Sequence, residues 1–262
     1  RKGNLRTICR SARCPNLGEC WSEKTATFLL LGDVCTRSCS FCAVAKGEPG
    51  APDGDEPRRV AEAAAAFGLT YVVLTSVTRD DLPDGGASAF ARTVTALKEK
   101  IPGVRVEVLI PDFRGDVRSL TTVVAAGPEV VNHNLEVPQA LYPAIGRPAE
   151  RYRLSLRVLG EARGLGAVTK SGLMLGLGET GEDILGALSD LRETGCVLLT
   201  MGQYLQPSPA HAAVRRHCSP EEFALWKRTA LEFGFRGVEA GPLVRSSYHA
   251  RGLADRAVAA GG

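Results

Sequence analysis

Six times between Thr27 and Gly234, an apolar, strand-like run is followed by a helical segment that stops at or near a glycine. The strand-like runs are 27–32, 71–76, 104–110, 130–135, 168–175 and 197–204. The helical segments are 57–67, 87–100, 116–126, 150–163 and 182–194, with a sixth that opens at Ser219-Pro220-Glu221-Glu222 and ends at Gly234. Strands that are apolar along their whole length, rather than at alternate positions, are those buried on both faces of a parallel sheet. Regular alternation with helices supplies the covering layer. The expected fold is therefore α/β, a partial (β/α)6 barrel over 27–234, with 1–26 and 235–262 as extensions of the same single domain.

In folds of this kind ligands gather at the C-terminal ends of the strands. The polar and glycine-rich segments of this chain fall there: Thr75-Ser76-Val77-Thr78-Arg79-Asp80-Asp81, Asn132-His133-Asn134-Leu135-Glu136, Gly176-Leu177-Gly178-Glu179 and Gln203-Tyr204-Leu205-Gln206-Pro207. Turn chemistry accounts for some of the glycines. It accounts poorly for Asn132, Asn134 and Glu136, because residues this polar at a strand end need partners.

The same strand ends receive metal-binding chemistry. Six of the eight cysteines lie between positions 9 and 42: Cys9, Cys14 and Cys20 as C-x4-C-x5-C, and Cys35, Cys39 and Cys42 as C-x3-C-x2-C directly after the first strand. Structural zinc sites usually complete a tetrahedron with a fourth cysteine or histidine close by, and neither set has one. Soft thiolates at these spacings suit a cubane iron–sulfur cluster, three cysteines leaving one iron open. Zinc stays as the alternative on spacing alone. Cys196, before the apolar run Val197-Leu198-Leu199, reads as a small buried residue, and Cys218 carries no assigned role.

A net charge of +3 in 262 residues falls short of a nucleic-acid-binding signature. No stretch approaches the roughly 18 consecutive apolar residues of a membrane-spanning helix. Thiols and clusters of this kind belong in a reducing compartment, so the expected location is the cytoplasm. Basic residues near the expected active face, Arg37, Lys46 and Arg79, offer a docking field for an acidic partner.

Cys35-Thr36-Arg37-Ser38-Cys39-Ser40-Phe41-Cys42, following the first strand and with an aromatic before its last cysteine, resembles the cluster motif of the radical S-adenosylmethionine (SAM) superfamily. The upstream segment from Cys9 to Cys20 resembles the second-cluster motif of the lipoyl synthase family. So do Thr75–Asp81, Asn132–Glu136, Thr169-Lys170-Ser171-Gly172-Leu173-Met174 and Arg245-Ser246-Ser247-Tyr248. The likeness runs from Cys9 to His249.

That resemblance implies sulfur insertion at C6 and C8 of an octanoyl group amide-linked to a lysine of a lipoyl carrier domain. The carriers it implies are the E2 subunits of 2-oxoacid dehydrogenases and the glycine cleavage H protein, with ferredoxin or flavodoxin as electron donor. It implies two [4Fe–4S] clusters. One sits on Cys35, Cys39 and Cys42 and meets SAM; the other is an auxiliary sulfur source on Cys9, Cys14 and Cys20 with Ser246 as fourth ligand, Ser247 being the alternative. It places Thr75 and Ser76 near the amino group of SAM, makes Asn132, Asn134, Glu136 and Lys170 candidates for its ribose and carboxylate, and gives Arg245 a role in fixing the tail or holding substrate. Another radical SAM enzyme with an auxiliary cluster, an electron carrier and a zinc-binding module are the competing readings.

Overall fold

The computed structural model describes residues 6–7 and 14–259. Cys9 lies outside the described residues. The described chain forms two compact units. Residues 6–7, 14–37 and 44–131 make the first; residues 38–43 and 132–259 make the second.

The first unit is built on β2 (Thr25–Leu30), β5 (Tyr71–Ser76) and β6 (Arg105–Leu109). They run parallel, with Leu30 opposite Ser76 and Thr75 opposite Leu109. The short β1 (Arg6–Thr7) lies antiparallel on the free side of β2. Every residue of β2 is buried, as a strand covered on both faces requires. The covering helices are α2 (Glu56–Ala66), α3 (Ala87–Lys100) and α4 (Val117–Ala125). Asp116 caps α4 by accepting from the Ser119 N–H at 3.2 Å, and Pro57 stands in the first turn of α2, where its missing N–H costs nothing. Two features were not expected from the sequence. Leu17–Ser22, inside the first cysteine motif, is a helix, α1. After β2, the short β3 (Val34–Cys35) pairs in parallel with β4 (Ala45–Lys46).

The second unit is built on β8 (Thr169–Leu175), β9 (Leu198–Gln203) and β10 (Gly237–Gly241), again parallel. Helices α5 (Glu150–Gly164), α6 (Gly181–Glu193) and α7 (Pro220–Glu232) flank them. Thr180 and Asp183 close a reciprocal capping box on α6, and Ser219 caps α7. Beyond the six expected strand–helix pairs, the segment after Gly234 adds a strand, β10, in register with β9, and a helix, α8 (Ala250–Ala259). The strand escaped notice because Gly237-Val238-Glu239-Ala240-Gly241 is short and carries an acid. Glu239 is held there by Lys227 at 3.2 Å and Arg256 at 2.7 Å.

The fourth strand, β7 (Val130–Asn132), is shorter than expected. It ends at Asn132; four residues on, Glu136 adopts φ +73°, a left-handed conformation outside the strand region, and forms an isolated parallel bridge with Leu173. Its carbonyl and N–H are nevertheless satisfied by β8: the Glu136 N–H donates to Gly172 O at 2.9 Å, and Glu136 O accepts from the Met174 N–H at 2.7 Å.

Candidate active site

In the first unit the start of the second cysteine motif is fixed by side chains from the segment after β5. Thr36 Oγ1 donates to Thr78 O and accepts from the Asp80 N–H, both at 3.1 Å. The Arg37 N–H donates to Cys35 Sγ at 3.4 Å. The Arg37 guanidinium is gripped by two carboxylates: Asp80 at 2.7 and 2.8 Å, and Asp112 at 2.7 Å through each of two nitrogens. Burial disfavours that cation, but the two carboxylates outweigh it and hold its pKa above the ordinary value. Asp112 stands at the entry to a turn in which Phe113, Arg114 and Gly115 all have positive φ, and it accepts from the Arg114 N–H at 2.9 Å.

Arg79 is only 2% exposed and is tied to Asp81, Leu31 O and Gly50 O. This narrows the expected docking field: Arg37 and Arg79 are engaged by neighbouring carboxylates of the chain, and only Lys46 of the three is exposed. At the end of β5, Thr75 Oγ1 donates to Leu109 O at 3.1 Å, while the buried Ser76 Oγ has no hydrogen-bond partner.

In the second unit the residues 38–43 rest on the segment before α5. The Ser40 N–H donates to Ile145 O at 3.0 Å, and Ser40 O accepts from the Ala212 N–H at 2.9 Å. Gly146 beside that backbone takes φ +70°, the left-handed conformation that favours glycine. Arg147 follows. Its Nε donates to Cys39 Sγ at 3.4 Å, and its Nη2 lies 3.6 Å from Glu136 Oε1. Its guanidinium sits 5.4 Å from the centre of the Phe41 ring.

A cavity of about 300 Å³ opens in this unit. Asn134 and Glu136 border it from the segment after β7, Gly172 and Met174 from β8, Thr200, Gly202 and Gln203 from β9, and Val244, Arg245 and Ser246 from the segment after β10. Phe41, Tyr204 and Leu205 complete an apolar side. Two glycines set its shape. A Cβ at Gly172 would meet Asn134 Oδ1 at 2.8 Å and Thr200 Oγ1 at 3.0 Å. At Gly202 it would collide with Val244 O, so the strand must be bare for the Ser246 segment to lie across it. Burial pushes the Glu136 carboxyl above the usual carboxylate range, opposed by Arg147 and Asn134.

Of the residues expected at the site, Asn134, Glu136, Arg245 and Ser246 therefore border one cavity. Asn132 and Lys170 are fully buried and do not line it; Lys170 lies near the start of β8, away from the strand's C-terminal end. Thr75 and Ser76 belong to the first unit, as does Cys35, whereas Cys39 and Cys42 belong to the second. Cys14, Cys20, Cys35, Cys39 and Cys42 are half-buried and form no disulfide among the described residues. Burial pushes the Cys196 and Cys218 thiols up to about 12 and about 11, so neither carries appreciable thiolate of its own at neutral pH. Gly172, Thr200, Gly202 and Arg147 were not singled out for the site; small residues in a strand and an arginine in a loop carry no chemical signal of their own.

A family model described as the radical SAM superfamily matches residues 29–191. The chain is 54% identical over 249 residues to "Lipoyl synthase" of Rubrobacter xylanophilus, covering 94% of this chain and 77% of that one. It is 55% identical over 253 residues to "Lipoyl synthase" of Thermus thermophilus, covering 95% and 78%. The chain belongs to the lipoyl synthase family. Membership makes it a radical SAM enzyme, with the mostly parallel α/β sheet of that fold, and implies SAM and [4Fe–4S] clusters as its cofactors. Among solved structures it is similar to the FeFe-hydrogenase maturase HydG from Carboxydothermus hydrogenoformans, at TM-score 0.66 and 16% identity, covering 88% of this chain and 56% of that one. It is also similar to methylornithine synthase (PylB), at TM-score 0.61 and 14% identity, covering 81% and 63%. The chain thus spans less than two thirds of each of these two structures, and at such identities the likeness concerns the fold alone.

The residues present fit the cofactors of the family. Asn134 Oδ1 is buried at the cavity with no hydrogen-bond partner, an acceptor suited to a ligand hydroxyl or ammonium. The cavity falls at the lower end of the roughly 300–1,000 Å³ usual for small-molecule sites. The cysteine thiols of the C-x3-C-x2-C motif, none of them in a disulfide, are the donor type that iron–sulfur clusters take. No helix among the described residues is long and apolar enough to cross a membrane.

Proposed function

We propose that this chain inserts sulfur at C6 and C8 of an octanoyl group carried on a lysine of a lipoyl domain, the sulfur coming from an auxiliary cluster held by Cys9, Cys14, Cys20 and Ser246. Cys35, Cys39 and Cys42 hold the second cluster, and Thr75, Ser76, Asn132, Asn134, Glu136 and Lys170 are the candidates for contact with SAM. Bound there, a low-potential cluster and SAM would supply the radical chemistry that removes hydrogen from methylenes no side-chain base can deprotonate.

The observation that carries this reading is the shared cavity. Asn134 and Glu136, proposed for SAM, border the same space as Arg245 and Ser246, proposed for the auxiliary cluster and substrate. The two chemistries must act on one acyl chain, and a common cavity is what that demands. Within it, Asn134 Oδ1 accepts from the bound cofactor. Phe41, Met174, Tyr204 and Leu205 exclude water from the acyl chain. Ser246 presents a hydroxyl oxygen, a hard ligand among soft sulfurs and hence the easier one to release. Arg245 holds the segment that carries it. The carriers are E2 subunits and the glycine cleavage H protein, the electron donor is a ferredoxin or flavodoxin, and the setting is the reducing cytoplasm.

The test is anaerobic incubation of reduced protein with SAM and an octanoyl-lysine peptide, with mass spectrometry of the peptide. Replacing Cys9, Cys14 and Cys20 together by alanine should leave SAM cleavage intact and abolish sulfur insertion. Replacing Cys35, Cys39 and Cys42 should abolish both. A lipoyl product from the first variant would mean that sulfur comes from elsewhere.

A further inference from the structure

We propose that Arg147 is a positioning residue for the iron–sulfur centre, donating an N–H···S hydrogen bond to the Cys39 thiolate and so raising the reduction potential of the cluster on Cys35, Cys39 and Cys42. This rests on the cluster assignment made above, and it adds a residue outside both cysteine motifs.

The placement of Arg147 is built from three sides. Its backbone is fixed by its own N–H to Tyr142 O at 3.0 Å, and the preceding Gly146 lies against the 38–40 backbone. Its Nε reaches Cys39 Sγ at 3.4 Å, well inside hydrogen-bonding range for sulfur. Its Nη2 faces Glu136, 3.6 Å away, and its guanidinium carbon lies over the ring of Phe41, two residues on from Cys39. The side chains of Arg147 and Glu136 are only 19% and 16% exposed, so water screens these contacts weakly. A planar fork can meet a sulfur, a carboxylate and a ring face at once; an ammonium cannot.

An ordinary ion pair does not account for this arrangement. Glu136 alone would be served by either terminal nitrogen, yet the shorter contact goes to sulfur through Nε. Hydrogen bonds to the cysteine sulfurs, local charge and solvent exposure are what set the potential of a cluster. Reduction adds negative charge that is shared with the thiolates. A donor and a positive charge at Cys39 favour the reduced state, so removing them must shift the potential to more negative values. Glu136 moderates the effect by sharing the cation, and it borders the cavity, so the same arginine couples the cluster ligand to the cavity wall.

The experiment uses the full chain with Cys9, Cys14 and Cys20 replaced by alanine, so that one cluster is observed. Iron and sulfide content and a potentiometric titration followed by electron paramagnetic resonance are measured on this parent, on Arg147→Met and on Arg147→Lys. All three should bind about four irons. Arg147→Met should lower the reduction equilibrium constant tenfold or more, a shift of about 59 mV for one electron. Arg147→Lys keeps the charge without the Nε donor and should fall between. Should Arg147→Met not fold, the Lys variant still reads the loss of the donor. Iron retained with the potential unchanged in the folded variants would overturn the proposal and leave Arg147 a structural ion-pair partner. A parent that takes up no iron would overturn the cluster assignment, and this proposal with it.

Discussion

Arg37→Met should destabilise the first compact unit by about 3–5 kcal/mol, the usual cost of stranding one member of a buried ion pair. The magnitude follows from which carboxylate is stranded. At 2.7 Å and an effective dielectric of about 20, each contact of Arg37 is worth about 6 kcal/mol before desolvation, which cancels most of it. Asp80 is 28% exposed and is rehydrated when Arg37 leaves, so its share is about 1 kcal/mol. Asp112 is 4% exposed and has no such recourse. Asp80→Ala should therefore cost far less than Arg37→Met. Arg37→Met combined with Asp112→Asn removes the stranded charge, keeps an acceptor for the Arg114 N–H, and should recover at least half of the loss. The sequence has two tryptophans, and Trp21 packs edge-on against Phe67 within this unit. In a Trp226→Phe background its fluorescence follows urea unfolding of that unit alone. If Asp80→Ala proved as costly as Arg37→Met, or the double variant were worse than the single, the argument from burial would fail.

Gly172→Ala places a methyl group against Asn134 Oδ1 and Thr200 Oγ1, so SAM affinity measured by equilibrium dialysis should fall about tenfold or more, or about 1.4 kcal/mol, with the thermal transition little changed; unaltered affinity would remove Asn134 from the binding site. Ser246→Ala should retain an auxiliary cluster on three cysteines, by iron analysis, while losing sulfur insertion, and Ser246→Cys should slow insertion by holding the iron with a softer ligand. Gly202→Ala, which displaces the Val244 carbonyl, should reproduce the Ser246→Ala loss while SAM is still cleaved; full insertion activity in that variant would show that the 244–246 segment need not lie against β9.

Local chemistry made much of the fold readable. Helix α3 was expected at 87–100 and is Ala87–Lys100, and β5 was expected and found at Tyr71–Ser76. Both follow from short-range rules: an apolar run for the strand, periodicity and a glycine stop for the helix. The strand β10 was missed because its pairing partner, not its composition, makes it a strand: Gly237 to Gly241 match Leu198 to Gly202 one for one. The site divides the same way. Asn134 and Glu136 stood out as polar groups at a strand end, whereas Ser246 was marked by the family resemblance alone. Arg37 and Asp112 are 75 residues apart, and Arg147 and Cys39 are 108 apart, so neither contact leaves a trace in a local pattern. Lys170 was marked by the family resemblance, and the register of β8 sets it opposite Leu198 near the start of both strands.

The register of β10 also fixes a length. Gly241 pairs with Gly202, the chain turns through the Val244 N–H to Gly241 O bond, and Ser246 follows five residues after the strand's last pair. One residue inserted in that stretch would carry the serine oxygen up to about 3.5 Å along the chain. For the proposed iron ligand Ser246, that exceeds the roughly 2.0–2.2 Å of a metal–oxygen bond. The number of residues between Gly241 and Ser246 is therefore a tighter constraint on the proposed ligation than any one of their side chains. A chain altered in spacing alone should fold, bind its cofactors on cysteine, and still hold its serine out of reach.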